Sequence, residues 1–259
     1  MIDMENRQFD LPSGVPADVL IAGSGPALLF LHDHLGREWN GFLDALAENH
    51  TVYAPRHPGS DEPDELQLLD GFADLALYYD DLLNALELDT AIVVGHSFGG
   101  MAAAEFAARC PARVSRLVLI DALGLWLDEK PIEDISGVPQ ERVTTILSGS
   151  TALTAELLAQ PEDPASIADF MVNRFLAQAA VSHFIWPIPD RDLRRRLYRI
   201  GMPTLVLWGE DDQYISAVYA DEFAKGLPAA EVELIPGTGH MPHLEDTPAV
   251  VARIARFLG

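Results

Sequence analysis

Residues 91–101 read AIVVGHSFGGM, and this stretch decides the fold of the chain. An apolar, β-branched run over 91–94 enters GHSFG at 95–99, and an alanine-rich segment typical of a helix follows it. The pattern predicts that Ser97 lies where a strand turns sharply into a helix. Gly95 and Gly99 tolerate such a turn because they carry no side chain. A plain strand-to-helix turn would have the same pattern, so the other segments have to distinguish the two interpretations.

A serine at such a turn is well placed to act as a nucleophile. Its hydroxyl is unreactive at its own pKa and needs an adjacent base, together with backbone donors for the oxyanion that forms. The N-terminus of the following helix adds a partial positive charge beside the reacting carbon. We therefore treat Ser97 as a candidate nucleophile and look for its partners after the other strands.

The composition is that of one α/β domain with room for an insertion. The chain has 259 residues, of which 49% are hydrophobic, and no apolar run approaches the roughly 20 residues of a membrane span. The first residues, MIDMENRQFDLPSG, lack the basic and apolar regions of a secretory signal, so we expect a cytoplasmic location. Cys110 is the only cysteine, which excludes an intrachain disulfide.

The charge is strongly one-sided and bears on the partners. There are 17 basic and 40 acidic residues, for a net charge of −23. Such a charge repels nucleic acids and anionic membranes, so we expect neither as a partner. The composition does not indicate an oligomeric state.

Strand and helix patterns alternate along the first half of the chain. Weak alternation and turn residues predict an antiparallel hairpin over 7–22, and buried strands follow at 27–31, 51–54, 91–94 and 114–120. Helical spacing is found at 39–47, 66–86 and 98–109. This alternation predicts a mostly parallel central sheet flanked by helices.

The alternation stops after Asp121 and resumes near residue 200. Between them we find helical stretches such as 154–158 and 167–180, and then the strands 204–208 and 232–235 with helices at 217–225 and 248–258. We expect a core of residues 1–121 and 200–259, with a helical cap of residues 122–199 inserted after the sixth strand. Large apolar side chains of the cap are expected to line a substrate pocket: Leu125, Trp126, Phe175 and Trp186.

Two further strands end in polar residues that suit a nucleophilic serine. The strand 204–208 is followed by Gly209 and Asp212, and the strand 232–235 leads to His240. The carboxyl ends of parallel strands meet at one edge of a sheet, where ligands bind. Ser97, a carboxylate and His240 are therefore expected at this edge, in the chain order Ser, Asp, His.

Four segments in this order carry a family resemblance. They are LLFLHDHLG at 28–36, GHSFGG at 95–100, LVLWGEDDQYIS at 205–216 and GTGHMPHLEDTP at 237–248. With them the sequence resembles the α/β-hydrolase family, in particular its capped subgroup of small bacterial esterases, lactonases and carbon–carbon hydrolases. The resemblance covers nearly the whole chain except the insertion, and it implies the α/β-hydrolase fold.

The resemblance also implies roles for individual residues. Ser97 matches the nucleophile and His240 the general base, and the Gly-x-x-Asp pattern from Gly209 selects Asp212 as the acid. Asp121 is the alternative acid, because some hydrolases take it from the preceding strand end. The oxyanion hole would use the backbone N–H groups of Phe98 and His34. No cofactor is implied.

The loop after the first parallel strand departs from the family pattern. Asp33 stands where a glycine is usual, and a carboxylate there would disturb an oxyanion unless it turned away. We interpret His32 as a structural residue. A metal site from His32, Asp33 and His34 is disfavoured, because neighbours on an extended chain point to opposite faces. His50, His57, His96 and His243 have no predicted role in catalysis.

Within the family, the residues favour a carboxylic-ester hydrolase. Haloalkane dehalogenases and epoxide hydrolases resemble this architecture but have an aspartate at the position of the nucleophile. The serine at 97 therefore argues against both classes. Carbon–carbon hydrolases usually have HGGGPG where this chain has HDHLG, and an asparagine where it has His96. We expect a small or medium apolar ester as substrate. A lactonase, a carbon–carbon hydrolase and a non-catalytic small-molecule receptor are the alternatives.

Overall fold

The computed structural model describes residues 3–135, 140–161 and 163–259. Eight strands in these ranges form one sheet in the order β1-β2-β4-β3-β5-β6-β7-β8. They are β1 Met4–Phe9, β2 Ala17–Gly23, β3 Ala27–Leu31, β4 Thr51–Pro55, β5 Ala91–His96, β6 Val114–Ile120, β7 Thr204–Gly209 and β8 Ala230–Ile235. β2 pairs antiparallel with β1 and β4, and every other pair of neighbours is parallel.

Helices cover both faces of the sheet and form the segment after β6. They are α1 Gly41–Ala47, α2 Phe72–Ala85, α3 Phe98–Arg109, α4 Gln140–Leu147, α5 Thr151–Leu158, α6 Pro164–Ile185, α7 Val218–Gly226, α8 Pro242–Glu245 and α9 Thr247–Leu258. The predicted fold is thereby confirmed: a mostly parallel sheet flanked by helices, with a helical insertion after the sixth strand.

The continuous apolar runs form strands because both faces of the sheet are covered. All six residues of β5 are buried. In β6, Leu117 and Leu119 pack into the core on one face with α2 and α3, while Val118 and Ile120 pack with α1 and α9 on the other. A strand alternates its side chains between the two faces, so a strand between two helical layers is apolar throughout.

The helix predicted over 66–86 is shorter in the structure. A 3₁₀-helix spans Pro63–Leu68, and α2 begins only at Phe72. The chain is extended at Gly71, and the Asp74 carboxylate accepts the N–H of Asp70 at 2.9 Å. Leu69 is buried in the gap, so the apolar spacing runs on although the helix does not.

The cap lies between β6 and β7, and its ends meet in an isolated parallel bridge between Gly124 and Asp190. The boundaries 1–121, 122–199 and 200–259 stay a prediction; residues 1, 2, 136–139 and 162, which they include, lie outside the described residues. Several large apolar side chains of α6 and the segment after it are exposed, among them Phe175 and Trp186. None of the helices in the described ranges has the length and hydropathy that a membrane crossing requires.

Candidate active site

Ser97 lies at the turn between β5 and α3. Its φ angle is +53°, a conformation that non-glycine residues rarely adopt, and its N–H donates to the carbonyl of Ile120 at 2.9 Å. A Cβ atom at Gly99 would collide with the backbone carbonyls of Leu31 and His32. The small residue therefore lets the loop after β3 lie directly against the turn that carries the serine.

The structure brings Ser97, His240 and Asp212 together from three strand ends. Nδ1 of His240 lies 2.8 Å from Oδ2 of Asp212, and its Nε2 lies 2.9 Å from Oγ of Ser97. A carboxylate can only accept, so Nδ1–H donates to Asp212 and Nε2 accepts from the serine hydroxyl. This is the tautomer that a general base beside a nucleophilic serine needs.

Asp212 is held in place by the backbone that follows it. Its Oδ1 accepts the N–H groups of Tyr214 at 2.7 Å and Ile215 at 2.9 Å, which leaves Oδ2 for His240. The Tyr214 ring stands edge-on to the imidazole of His240, with ring centroids 4.9 Å apart. The carboxylate and the ring thus fix both the plane and the tautomer of the histidine.

Asp121, the alternative acid, is fully buried beside this group but is bound differently. Its Oδ1 accepts the N–H of Gly209 at 2.9 Å. Burial and the negative charge of Asp212 raise the pKa of the Asp121 carboxyl well above its ordinary value, so the environment favours its neutral form. The hydrogen bond from His240 goes to Asp212, which favours Asp212 as the acid.

Potential metal ligands of Asp121, Asp212 and His240 lie within 4.8 Å of one another. A cation bound by all three would have to replace the proton of His240 that Asp212 accepts. The arrangement therefore suits proton transfer better than metal binding.

The two residues predicted to form the oxyanion hole lie on either side of the serine. Phe98 begins α3, so its N–H belongs to the first turn, whose donors have no acceptor within the helix. His34 lies in the loop after β3, and β3 pairs with β5 up to Leu31 and Gly95. The role of both N–H groups in catalysis stays a prediction.

The carboxylate of Asp33 turns towards His96. Its Oδ1 accepts the N–H of Leu35 at 2.8 Å, and its Oδ2 lies 3.4 Å from Nδ1 of His96. Nε2–H of His96 donates in turn to the backbone carbonyl of His240 at 2.7 Å. Asp33 and His96 are two of the positions where this chain differs from the usual pattern of carbon–carbon hydrolases, and they contact each other.

The environment keeps Asp33 ionised. Burial by itself raises the pKa of this carboxyl, but the hydrogen bond with His96, the positive charge that His34 and His96 carry when they are protonated, and the N–H of Leu35 together hold the pKa well below its usual range. Sequence reasoning assigned no role to His96. The contact could have been anticipated from the pairing of β3 with β5, because neighbouring parallel strands place the loop at Asp33 beside the turn at His96.

His32 and His57 form a structural pair below this loop. His32 donates from Nδ1 to the carbonyl of Asp33 at 2.7 Å and accepts the N–H of His57 at 3.1 Å. His57 donates to the carbonyl of His32 at 2.8 Å and accepts from the hydroxyl of Tyr79 at 2.6 Å. Both rings are thus fully used in shaping the loop, which agrees with the structural interpretation of His32.

Two neighbouring pockets lie between the cap and the sheet edge. One is lined by Tyr214 from the core and by Leu123, Val181 and Trp186 from the segment between β6 and β7. The other, of about 340 Å³, is lined by side chains of α5 and α6 that include Phe175. The ring of His34 lies in the wall of both.

Of the four predicted pocket residues, two line these pockets and two do not. Phe175 and Trp186 do, although both are largely exposed. Leu125 is buried in the core, and Trp126 packs against it with its indole N–H on Asp128. The chain after β6 is drawn into the core here, since the N–H of Leu123 donates to the carbonyl of Ser97 at 3.0 Å. Leu123 therefore takes the position expected of Leu125.

Comparison with known proteins agrees with this geometry. The model of the alpha/beta hydrolase family matches residues 28–254. An uncharacterized protein of Mycobacterium tuberculosis is 27% identical over 282 residues, which cover 97% of this chain and 80% of that protein. The 2-hydroxy-6-oxo-2,4-heptadienoate hydrolase of Pseudomonas putida is 26% identical over 268 residues, which cover 98% and 93%. The solved structure of naproxen esterase from Bacillus subtilis shares the fold, with a TM-score of 0.73 and 19% identity over 100% of this chain and 92% of that one. This chain belongs to the α/β-hydrolase family.

Proposed function

We propose that the protein is a serine hydrolase that cleaves carboxylic esters through an acyl-enzyme intermediate. The observation that supports this best is the continuous hydrogen-bond chain from Ser97 through His240 to Asp212, with links of 2.9 and 2.8 Å. Each link has the donor and acceptor order that acyl transfer requires.

In the proposed mechanism, Oγ of Ser97 attacks the ester carbonyl while Nε2 of His240 takes its proton. Asp212 keeps the imidazole in the productive tautomer and stabilises the imidazolium. The backbone N–H groups of Phe98 and His34 stabilise the negative oxygen. His240 then protonates the leaving alcohol, and a water molecule activated in the same way releases the acid. No step needs a metal or a cofactor.

The pockets support a small or medium apolar acyl group as the substrate. Leu123, Val181 and Ile185 give the pocket beside Tyr214 a largely apolar wall, and Leu157 and Phe170 contribute the same character to the larger one. Apolar walls with a few polar groups are typical of small-molecule sites. A cytoplasmic location stays a prediction.

The test is hydrolysis of a series of p-nitrophenyl esters of increasing chain length by the purified protein and by Ser97→Ala. We expect the variant to lose activity by about 10⁴-fold or more, because the nucleophile is gone. Ser115→Ala, at an exposed position of β6, is the matched control and should keep full activity. Unchanged ester hydrolysis by Ser97→Ala would disprove the proposal.

A carbon–carbon hydrolase is the second candidate, because the Pseudomonas putida relative is named for such a reaction and aligns over nearly the whole chain. The measurement is the decay of 2-hydroxy-6-oxo-2,4-heptadienoate absorbance. Turnover of this compound without turnover of any ester would replace the ester proposal. A receptor, in contrast, would bind a ligand without turnover, and its Ser97 would not react rapidly with a phosphonate probe.

A further inference from the structure

The imidazole of His34 is buried without a hydrogen-bond partner. The residue is 3% exposed, and neither ring nitrogen has a partner among the described residues. His32, His57 and His240, by contrast, use both of their ring nitrogens. Buried polar groups are nearly always hydrogen-bonded, so an exception beside an active site calls for an explanation.

The ring borders the space in which a substrate would bind. It forms part of the wall of both pockets, and its centroid is 6.2 Å from that of Tyr214, which packs on His240. The backbone N–H of Leu123, a residue of the same pocket wall, donates a hydrogen bond to the carbonyl of Ser97. The general base is already supplied by His240, so His34 has no part in moving the serine proton.

The chemistry of the ring limits what it can bind. Burial lowers the pKa of His34 to about 4, so the ring is neutral at neutral pH and offers one N–H donor and one lone pair. Asp134 lines the same pocket, and a carboxylate there disfavours an anion, whereas the carboxylate of Glu133 on the same wall is paired with Arg142. The complementary group is neutral and carries an oxygen, such as a hydroxyl or a ketone.

We propose that His34 is a specificity-determining residue whose imidazole hydrogen-bonds a hydroxyl or oxo oxygen on the acyl chain of the substrate. The preferred esters would then be those of hydroxy or oxo acids, with the oxygen close to the scissile carbonyl. This inference rests on the proposed ester hydrolysis and specifies its substrate class. A site with a buried donor and acceptor discriminates against an analogue that leaves both unpaired.

The test uses matched methyl esters with acid release followed by titration at constant pH. They are methyl butanoate, both enantiomers of methyl 3-hydroxybutanoate, and methyl 3-oxobutanoate. The readout is the ratio of kcat/KM for each oxygenated ester to that for the plain ester, in the wild type, His34→Phe and His34→Asn. Differences in intrinsic reactivity, and any general loss of activity in a variant, cancel when these ratios are compared.

We expect at least one ratio to fall about tenfold or more in His34→Phe, which keeps a ring but no polar atom, and to fall less in His34→Asn, which keeps a donor and an acceptor. Ratios that are the same in the wild type and His34→Phe would overturn the inference. If methyl butanoate and the p-nitrophenyl esters are not hydrolysed, the ester proposal has failed. In that case the role of His34 is decided by binding of the same esters to Ser97→Ala and to the double variant Ser97→Ala/His34→Phe. The readout is the ratio of the affinity for an oxygenated ester to that for methyl butanoate. Equal ratios in the two variants overturn the inference, and a tenfold lower ratio in the double variant supports it.

Discussion

Two buried carboxyl groups lie beside His240, and their contacts separate their roles. Asp212 binds the imidazole through one oxygen and two backbone N–H groups through the other. Asp121 accepts the N–H of Gly209, and burial together with the charge of Asp212 raises the pKa of its carboxyl, which favours the neutral form. The carboxylate that contacts the ring of His240, and that would stabilise the imidazolium in the proposed mechanism, is therefore Asp212.

Asp212→Asn should lower kcat by about 10⁴-fold, because an amide in that position favours the wrong tautomer of His240. Asp121→Asn should change kcat by only a few-fold, since an amide oxygen can still accept from Gly209 and burial already favours the neutral form of the native carboxyl. The measurement is kcat on p-nitrophenyl butanoate at pH 7.5. The reverse order of effects would identify Asp121 as the acid.

The contact of Asp33 with His96 links two loops that the proposed chemistry uses. Asp33 precedes the predicted oxyanion donor His34, and His96 holds the backbone carbonyl of His240. A carboxylate in place of a flexible glycine can thus hold the loop after β3 in a fixed position relative to His240.

Asp33→Asn and His96→Asn should each lower kcat by about ten- to a hundredfold, because small displacements of reacting groups are costly. The two changes should be coupled, so that the double variant is little worse than either single one. A double-mutant cycle of kcat, with urea unfolding of each variant, measures this. Strictly additive losses would show that the two residues act independently.

The turn between β5 and α3 and the loop after β3 depend on close contact between backbones. A Cβ at Gly95 would meet the carbonyl of Gly99, and one at Gly99 would meet those of Leu31 and His32. These neighbours are main chain, which cannot move aside as the tip of a side chain can. The geometry of Ser97, the candidate nucleophile, is therefore set by the packing of two loops on each other.

Gly99→Ala should destabilise the protein by about 3 kcal/mol or more, through overpacking against main chain. Gly41→Ala is the matched control: Gly41 begins α1, nothing lies within 4 Å of an added Cβ, and alanine is the better helix former. Its stability should be unchanged or up to about 1 kcal/mol higher. Urea unfolding measures both, and equal stabilities would contradict the packing argument.

Six of the eight histidines are buried together at the carboxyl edge of the sheet. Burial lowers the pKa of His34 and of His57 to about 4, and lowers those of His32 and His243 well below the ordinary value. The folded protein keeps these rings neutral, whereas the unfolded chain protonates them near pH 6.5. The contribution of His34 and His57 to stability is therefore complete above pH 6.5 and is lost as the pH falls towards 4, and that of His32 and His243 is lost in the same direction.

The free energy of unfolding should fall between pH 7 and pH 5, with His34 and His57 contributing about 2 kcal/mol each to the change. In His34→Asn the change between the two pH values should be smaller by about 2 kcal/mol, because the ring that takes up the proton is absent. Urea unfolding at both pH values provides the comparison, and the difference within each protein is independent of the variant's own stability. The same pH dependence in both proteins would contradict the assignment to His34.

The fold could be predicted from local patterns, and the candidate triad from these patterns together with the family resemblance, which selects Asp212 over Asp121. Apolar runs separated by helical spacing specify a parallel sheet, and parallel strands necessarily bring their carboxyl ends to one edge. Ser97, Asp212 and His240 each follow such a strand, so their proximity is a consequence of topology. The antiparallel hairpin at the start was also predictable, because the turn residues that define it lie between its two strands in the sequence.

Contacts between side chains of different loops were decided only by the tertiary structure. The sequence pattern of β3 and the loop after it does not show that Asp33 turns to His96 or that the ring of His34 has no partner. In the same way, the pattern after β6 does not show that Leu123 rather than Leu125 reaches the pocket. The helix over 66–86 was overestimated because buried Leu69 continues the apolar spacing through a break held by Asp74. Periodicity reports which face of an element is buried, while the partner of a buried polar group depends on distances between segments that are far apart in the chain.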